Sequence, residues 1–180
     1  VSVVKGQTFD DMDGGTESIK GYVSLIHGGE NPQYKVVSGV SEEVEQVINW
    51  ITECTRNNIA LKDICIAAPN MNRLHTDGTH YRILKGASKQ GTTDGLSLCT
   101  FHSLKGLEFK VIILIGVNER YVPSQVTKTH PFTGMDKLSQ KEYLSSKRSL
   151  LYVAITRARQ LVFMVGYGEP CGLLASMVEK

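Results

Sequence analysis

Four short apolar runs stand out in the pattern of hydrophobic and polar positions along the chain. They lie at residues 63–69, 96–101, 111–117 and 161–168, and polar or turn-forming residues bound each of them. Short continuous apolar runs are typical of strands that are buried on both faces. We therefore predict four strands in the interior of a sheet, and a weaker fifth strand at residues 81–84.

Two segments carry apolar side chains at the spacing of an α-helix. Residues 41–58 predict a first helix, with Ser41 as its N-cap, and residues 136–160 predict a second, longer one. The apolar stripe of the first helix comprises Val44, Val47, Ile48 and Ile51, and that of the second comprises Leu144, Leu151, Ile155 and Ala158. Residues 173–178 are a further, shorter helix candidate.

Alternation of buried strands with amphipathic helices determines the predicted fold class. It indicates an α/β protein with a mostly parallel sheet that is covered by helices on both faces. The 180 residues suit a single domain, 1–180. Residues 1–40 are rich in turn formers around short apolar pieces at 22–26 and 34–37, and we predict an irregular lead-in there. The chain begins with Val1 rather than methionine, which favours a fragment of a longer protein.

Composition narrows the class of protein. Hydrophobic residues make up 41% and charged residues 21% of the chain, as in an ordinary globular domain, and no apolar run is long enough to cross a bilayer. Nothing resembles a secretion signal, so we expect a cytoplasmic protein without a membrane partner. The four widely spaced cysteines suggest a reducing compartment, with neither a disulfide framework nor a structural zinc.

Net charge is only +2, but the basic residues are unevenly spread. Those of the predicted second helix and its end are Lys137, Lys141, Lys147, Arg148, Arg157 and Arg159, with Glu142 as the only acidic residue between them. A solvated helix face and a surface that binds an anionic ligand both explain this cluster.

The most unusual segment is "TFHSLKGLEF", which lies between two predicted strands. Ligands of parallel sheets bind outside the carboxyl ends of strands, and His102, Lys105 and Glu108 follow such an end. A surface turn would explain the polarity of the segment, but a binding loop would also explain why both charge signs flank one glycine.

Two motifs resemble those of the UvrD/Rep-type superfamily-one DNA helicases. "CTFHSLKGLEFKVIIL" is similar to their motif V, and "RSLLYVAITRARQLVFMV" is similar to their motif VI, in the family's order. "ERYVPS" and "GYVSLIHGGENP" also resemble family segments. The resemblance implies a C-terminal RecA-like motor domain, a three-layer sandwich within an ATP-dependent helicase or translocase that moves 3′ to 5′.

The resemblance also implies a nucleotide site. Arg157 matches the arginine finger that reaches the γ-phosphate of ATP, and Glu108 matches a carboxylate that accepts hydrogen bonds from the ribose. Gly106 would allow a tight bend, and Tyr152 either packs near the nucleotide or fills the core. The alternatives are a surface arginine paired with a carboxylate at position 157 and a glutamate that caps a turn at position 108.

A second set of positions is implied to contact single-stranded DNA. Thr100, His102 and Lys105 match the family positions that face the strand, where a hydroxyl and a lysine contact phosphate and a histidine ring stacks or hydrogen-bonds. An ordinary loop histidine is the alternative for His102. Repair, recombination, replication restart and plasmid transfer are all compatible pathways.

Two departures from the family pattern qualify this prediction. Pro69 stands where a second γ-phosphate arginine is usual, and Arg73 is the only nearby replacement. No GxxxxGK[ST] phosphate loop occurs in the 180 residues. The resemblance therefore puts ATP binding and Mg²⁺ coordination on a separate N-terminal domain, and the isolated chain is expected to be inactive. A helicase-derived module that binds DNA or protein without catalysis is the alternative, and a helicase joined to a nuclease is a third possibility.

Overall fold

The computed structural model describes residues 8–10, 16–18, 31–70, 95–119, 122, 135–172 and 174. Its elements, in chain order, are β1 (Thr8–Asp10), β2 (Thr16–Ser18), β3 (Gln33–Val37), α1 (Val40–Arg56), a 3-10 turn (Leu61–Asp63), β4 (Ile64–Ala68), β5 (Ser97–Thr100), a second 3-10 turn (His102–Leu104), β6 (Phe109–Leu114), α2 (Lys137–Ile155) and β7 (Ala158–Tyr167). The strand candidate at 81–84, the apolar piece at 22–26 and most of the helix candidate at 173–178 lie outside these residues.

The main sheet has five strands in the order β3-β7-β6-β4-β5, and every pair of neighbours is parallel. Strands β4 and β6 lie in its interior, and all five residues of β4 are buried. β1 and β2 form a separate antiparallel pair. The predicted α/β class with a mostly parallel sheet is confirmed, and so are the four strands predicted from apolar runs.

Helix α1 covers one face of the sheet. Trp50 stacks on Phe163 of β7 with their ring centroids 4.8 Å apart and their planes 17° apart. The buried residues of the helix are Glu43, Val44, Val47, Trp50 and Cys54. Ile48 was predicted to be buried but is 41% exposed, because the helix turns the stripe with Trp50 and Cys54 towards the sheet. The predicted N-cap is also wrong: the helix begins at Val40 and its N-cap is Gly39.

Helix α2 and the segment 101–108 cover the other face. Leu151 and Ala154 of the helix are buried in one cluster with Phe101 and Leu104 of the segment. The two faces together make the predicted three-layer sandwich. Asp136 caps the helix, because its side chain accepts hydrogen bonds from the backbone N–H groups of Leu138 and Ser139.

Helix α2 ends five positions earlier than predicted, at Ile155 instead of residue 160. Ala158, which was assigned to the helical stripe, is the first residue of β7 and pairs with Phe109 of β6. Pairing of β7 with strands on both sides satisfies the backbone of residues 158–160 better than further helical turns, so the tertiary structure overrides local helix propensity.

The predicted lead-in is not irregular throughout. Residues 33–37 form β3, an edge strand that pairs in parallel with β7, and β1 and β2 also lie within residues 1–40. The strand was missed because only its short apolar piece is visible in the sequence, and the partner that completes it is distant in the chain.

Strand β3 is tied to the rest of the domain by a buried tyrosine. The Tyr34 hydroxyl donates a hydrogen bond of 2.7 Å to the Val117 carbonyl and accepts one of 3.0 Å from the Cys171 backbone N–H. Burial raises the pKa of Tyr34 to about 12. Because this pKa lies above the unfolded value of 10.0, the neutral phenol stabilises the fold fully below pH 10. That contribution is lost as the pH rises from 10 towards 12.

Tyr34→Phe is expected to lower the free energy of unfolding by about 2 kcal/mol at pH 8, because it leaves two buried backbone groups unpaired. It should also remove part of the loss of stability at alkaline pH. Urea unfolding of both proteins at pH 8 and pH 11 measures this. An equal fall between the two pH values in wild type and variant would contradict the role assigned to the phenol.

All four cysteines are free thiols, and Cys65 is buried in the core as predicted. Its Sγ lies 3.4 Å from the Sγ of Cys99, which is only partly buried. The hydrogen bond between the two thiols lowers the pKa of Cys99 and, together with burial, raises that of Cys65. Within the described residues, no helix combines the length and apolar character that crossing a membrane requires.

Candidate functional site

Segment 101–108 crosses the sheet from one edge to the other. It leaves β5 at the carboxyl edge, where Thr100 pairs with Ala68 at the end of β4. It enters β6 at the amino edge, where Phe109 pairs with Ala158 at the start of β7. The positions predicted to lie together in one loop at the carboxyl edge are therefore divided. Glu108 lies at the amino edge, which corrects the prediction for this residue.

Thr100 and His102 lie at the carboxyl edge. The Thr100 hydroxyl lies 2.9 Å from the Ser103 hydroxyl and accepts a hydrogen bond from the Ser103 backbone N–H, so it caps the 3-10 turn. His102 begins this turn with an exposed side chain, and Lys105 directly after it is also exposed. The turn is anchored from below by buried Leu104. These three candidate DNA contacts thus sit on a short, well-anchored stretch of backbone.

Gly106 makes the bend between the two halves of the crossing segment. Its φ of +85° lies in the left-handed region that favours glycine, and a Cβ there would meet no atom within 4 Å. The glycine is therefore required by backbone conformation and not by a steric contact. This confirms the bend that the sequence indicated, but any ligand contact of Gly106 stays a prediction.

Arg157 lies at the amino edge, in the turn between α2 and β7. Its backbone carbonyl accepts a hydrogen bond of 3.1 Å from Phe109, the residue after Glu108. The Nε of its side chain is buried and has no hydrogen-bond partner in the part of the chain that the structure describes. An unpaired buried guanidinium nitrogen is costly, and native proteins keep such groups mainly where a ligand completes the pairing.

Glu108 has a partner that the sequence did not reveal. Both Nε and Nη2 of Arg159 donate to its Oε2, at 2.9 and 2.8 Å. Neither predicted alternative describes this carboxylate, which is held by an ion pair and caps no turn. Arg159 lies 51 residues further along the chain and was noted only as one member of a basic cluster. Its position two residues after Arg157, at the start of a strand, was the one available signal.

Tyr152 is half-buried in the last turn of α2, and its backbone carbonyl accepts a hydrogen bond of 3.0 Å from Thr156. The end of α2 adjoins the start of β7, so Tyr152 lies on the same edge of the sheet as Arg157. Both arginines follow the carboxyl end of the helix, where its dipole favours positive charge. The amino edge therefore gathers Glu108, Tyr152, Arg157 and Arg159, which we call the amino-edge cluster.

Pro69, at the position expected for a second phosphate-binding arginine, directly follows β4 at the carboxyl edge. It is thus across the sheet from Arg157, next to the end of β5. Arg73 lies outside the described residues. Among the described residues no group of three or more metal-ligating side chains comes together, and the Mg²⁺ site is expected on another domain.

The match to a family model settles the kinship of the chain. Residues 79–168 match the UvrD-like helicase C-terminal domain. The chain belongs to this family. The match includes the whole crossing segment and all of the amino-edge cluster, so the residues that the site assembles from β5, β6, α2 and β7 fall within the shared domain.

Individual relatives agree with this assignment. The chain is 29% identical over 128 residues to YjcD of Bacillus subtilis, which its name assigns to the ATP-dependent DNA helicases, covering 70% of this chain and 16% of YjcD. It is 25% identical over 167 residues to the ATP-dependent DNA helicase Rep of Salmonella typhimurium, covering 85% of this chain and 22% of Rep. The chain therefore spans less than a quarter of the length of either relative.

A solved structure supports the fold. The crystal structure of the C-terminal domain of a possible DNA helicase from Lactobacillus plantarum WCFS1 superposes with a TM-score of 0.58. The match covers 82% of this chain and 80% of that one at 18% sequence identity. The parallel sheet with helices on both faces is thus an architecture that a UvrD-like helicase C-terminal domain shares with a solved structure.

Proposed function

We propose that this UvrD-like domain is the second motor domain of an ATP-dependent DNA helicase or translocase. Arg157 would act as its arginine finger, and Thr100, His102 and Lys105 would form part of its grip on single-stranded DNA. One observation carries the proposal: the buried Nε of Arg157 has no partner among the described residues, and it lies at the same edge of the sheet as the Glu108 carboxylate.

The amino-edge cluster suits a nucleotide that is held mainly by another domain. A guanidinium is planar and always charged, and it binds phosphate oxygens through parallel N–H donors. An arginine that reaches the γ-phosphate from across a cleft stabilises the charge that develops there during hydrolysis. Glu108 can accept hydrogen bonds from ribose hydroxyls through Oε1, which receives none from the described residues. The two side chains would thus contact opposite ends of ATP.

The crossing segment offers a physical link between nucleotide and DNA. It joins Thr100 at the carboxyl edge to Glu108 at the amino edge within residues 101–108, and buried Leu104 packs it against α2. A shift of the amino-edge cluster upon domain closure would therefore be transmitted to Lys105 and His102 along a short, packed piece of backbone. This arrangement supports conversion of nucleotide state into movement along a strand.

The remaining parts of the proposal come from kinship. An N-terminal RecA-like domain of the same protein would supply the phosphate loop and hold Mg²⁺, and movement would run 3′ to 5′. A non-catalytic module derived from a helicase is the second candidate, and the proline at position 69 favours it. The retained Arg157 and Glu108 geometry favours the motor domain, because binding DNA alone requires neither.

Paired substitutions in the full-length protein separate the two ligand contacts. Glu108→Ala should raise the KM for ATP about tenfold, since it removes hydrogen bonds to a charged acceptor, while DNA affinity stays unchanged. Lys105→Ala should reduce the dependence of log K for single-stranded DNA on log salt by about 0.7, the value of one phosphate contact. ATPase titrations and DNA-binding titrations at several salt concentrations measure both effects.

Lys62→Ala is the matched control for the lysine. Lys62 is exposed and lies just before β4, at the opposite edge of the sheet from Thr100. An unchanged salt slope in Lys105→Ala, or an equal change in Lys62→Ala, would remove Lys105 from the DNA contacts. A DNA-binding protein without any DNA-stimulated ATPase would support the non-catalytic module instead.

A further inference from the structure

The ion pair between Arg159 and Glu108 is asymmetric. Two nitrogens of the guanidinium donate to the same oxygen, Oε2, at 2.9 and 2.8 Å. Oε1 receives no hydrogen bond from the described residues. The pair therefore fixes the orientation of the carboxylate and leaves one acceptor oxygen available. A symmetric bidentate pair, with one nitrogen on each oxygen, would have occupied both.

The surroundings of the pair explain why such a restraint is useful. The side chains of Glu108 and Arg159 are 53% and 69% exposed, so packing alone does not hold the carboxylate. Glu108 follows the bend at Gly106 and Leu107, the latter being 46% exposed. A glutamate in that position has several rotamers available, and immobilising it before a ligand arrives lowers the entropy lost upon binding.

We propose that Arg159 is a positioning residue for ribose recognition: it holds Glu108 so that Oε1 faces the ribose hydroxyls of the bound nucleotide. This inference rests on the proposed function of Glu108 as the ribose contact. Arg159 acts through the carboxylate and touches no reacting atom. Its loss should weaken the discrimination between ribonucleotides and their deoxy analogues and leave the chemical step unaffected.

The test measures ATPase kinetics of the full-length protein with ATP, 2′-deoxy-ATP and 3′-deoxy-ATP. Arg159→Ala should raise the KM for ATP about two- to fivefold, the range that an exposed ion pair supports, with kcat unchanged. The KM for the analogue that lacks the recognised hydroxyl should not change, so the preference for ATP falls by the same factor. Arg159→Lys should restore part of the preference.

Two further variants complete the design. Arg56→Ala removes an exposed arginine from the last turn of α1, on the other face of the sheet, and should change none of these values. The double variant Glu108→Ala with Arg159→Ala should be no worse than Glu108→Ala alone, because an arginine that acts through the carboxylate has no effect once the carboxylate is gone.

The outcomes distinguish this inference from the function on which it rests. If Glu108→Ala keeps the full preference for ATP, the ribose contact itself is wrong and the positioning role falls with it. If Glu108→Ala loses the preference but Arg159→Ala retains it, only the role of Arg159 is overturned. A loss of kcat in Arg159→Ala at constant KM would overturn it too, since that result marks a contact to the transition state.

Discussion

Arg157→Ala in the full-length protein is expected to lower DNA-stimulated ATP turnover by roughly 10³-fold or more, the effect of losing an arginine finger. Nucleotide affinity should stay within several-fold, because the finger acts on charge that develops only during hydrolysis. Steady-state turnover and binding of a fluorescent ATP analogue measure the two quantities separately. Turnover that is unchanged in the variant would eliminate the finger role.

The structure adds a stability criterion to this experiment. Because the Nε of Arg157 is buried without a partner among the described residues, its removal deletes an unsatisfied group and should not reduce the melting temperature. A large loss of stability would instead indicate that Arg157 is structural. Arg157→Lys keeps the charge but not the planar fork of donors, so it should also be strongly impaired. Arg56→Ala serves as the unaffected arginine control.

The second large effect concerns the 180-residue chain by itself. It is expected to hydrolyse no ATP above the protein-free background, with or without single-stranded DNA. The sequence contains no GxxxxGK[ST] phosphate loop, and the amino-edge cluster provides only one side of a nucleotide site. A malachite-green or coupled assay measures turnover, and circular dichroism verifies that the chain is folded.

A contaminating ATPase could mimic activity, so the same chain with Arg157→Ala is the matched control. Turnover that depends on DNA and disappears in this control would show that the isolated domain is catalytic, which would contradict the requirement for a second domain. Turnover that persists in the control would come from a contaminant. Full-length protein assayed in parallel establishes the detectable range.

Much of the fold was predictable because it depends on local patterns. The buried runs that became β4, β6 and β7 are nearly continuous in apolar residues, which only a strand covered on both faces requires. The identity of the candidate ligand contacts was also readable, since Glu108 and Arg157 lie within two long, correctly ordered motifs.

Elements whose limits depend on distant partners were predicted less well. The stripe through Ile48 and the stripe through Trp50 both have helical spacing, and only the stacking on Phe163 selects the second. The end of α2 and the existence of β3 were likewise decided by pairing with β7. In each case the deciding contact joins residues that are far apart in the chain.

The sequence by itself determined the strands, the parallel architecture, the bend at Gly106 and the chemical nature of the candidate site. Only the tertiary structure decided that Thr100 and Glu108 lie at opposite edges of the sheet and that Arg159 holds Glu108. The physical reason is that local spacing fixes secondary structure, whereas strand order and ion pairs over 51 residues arise from packing, which no local pattern encodes.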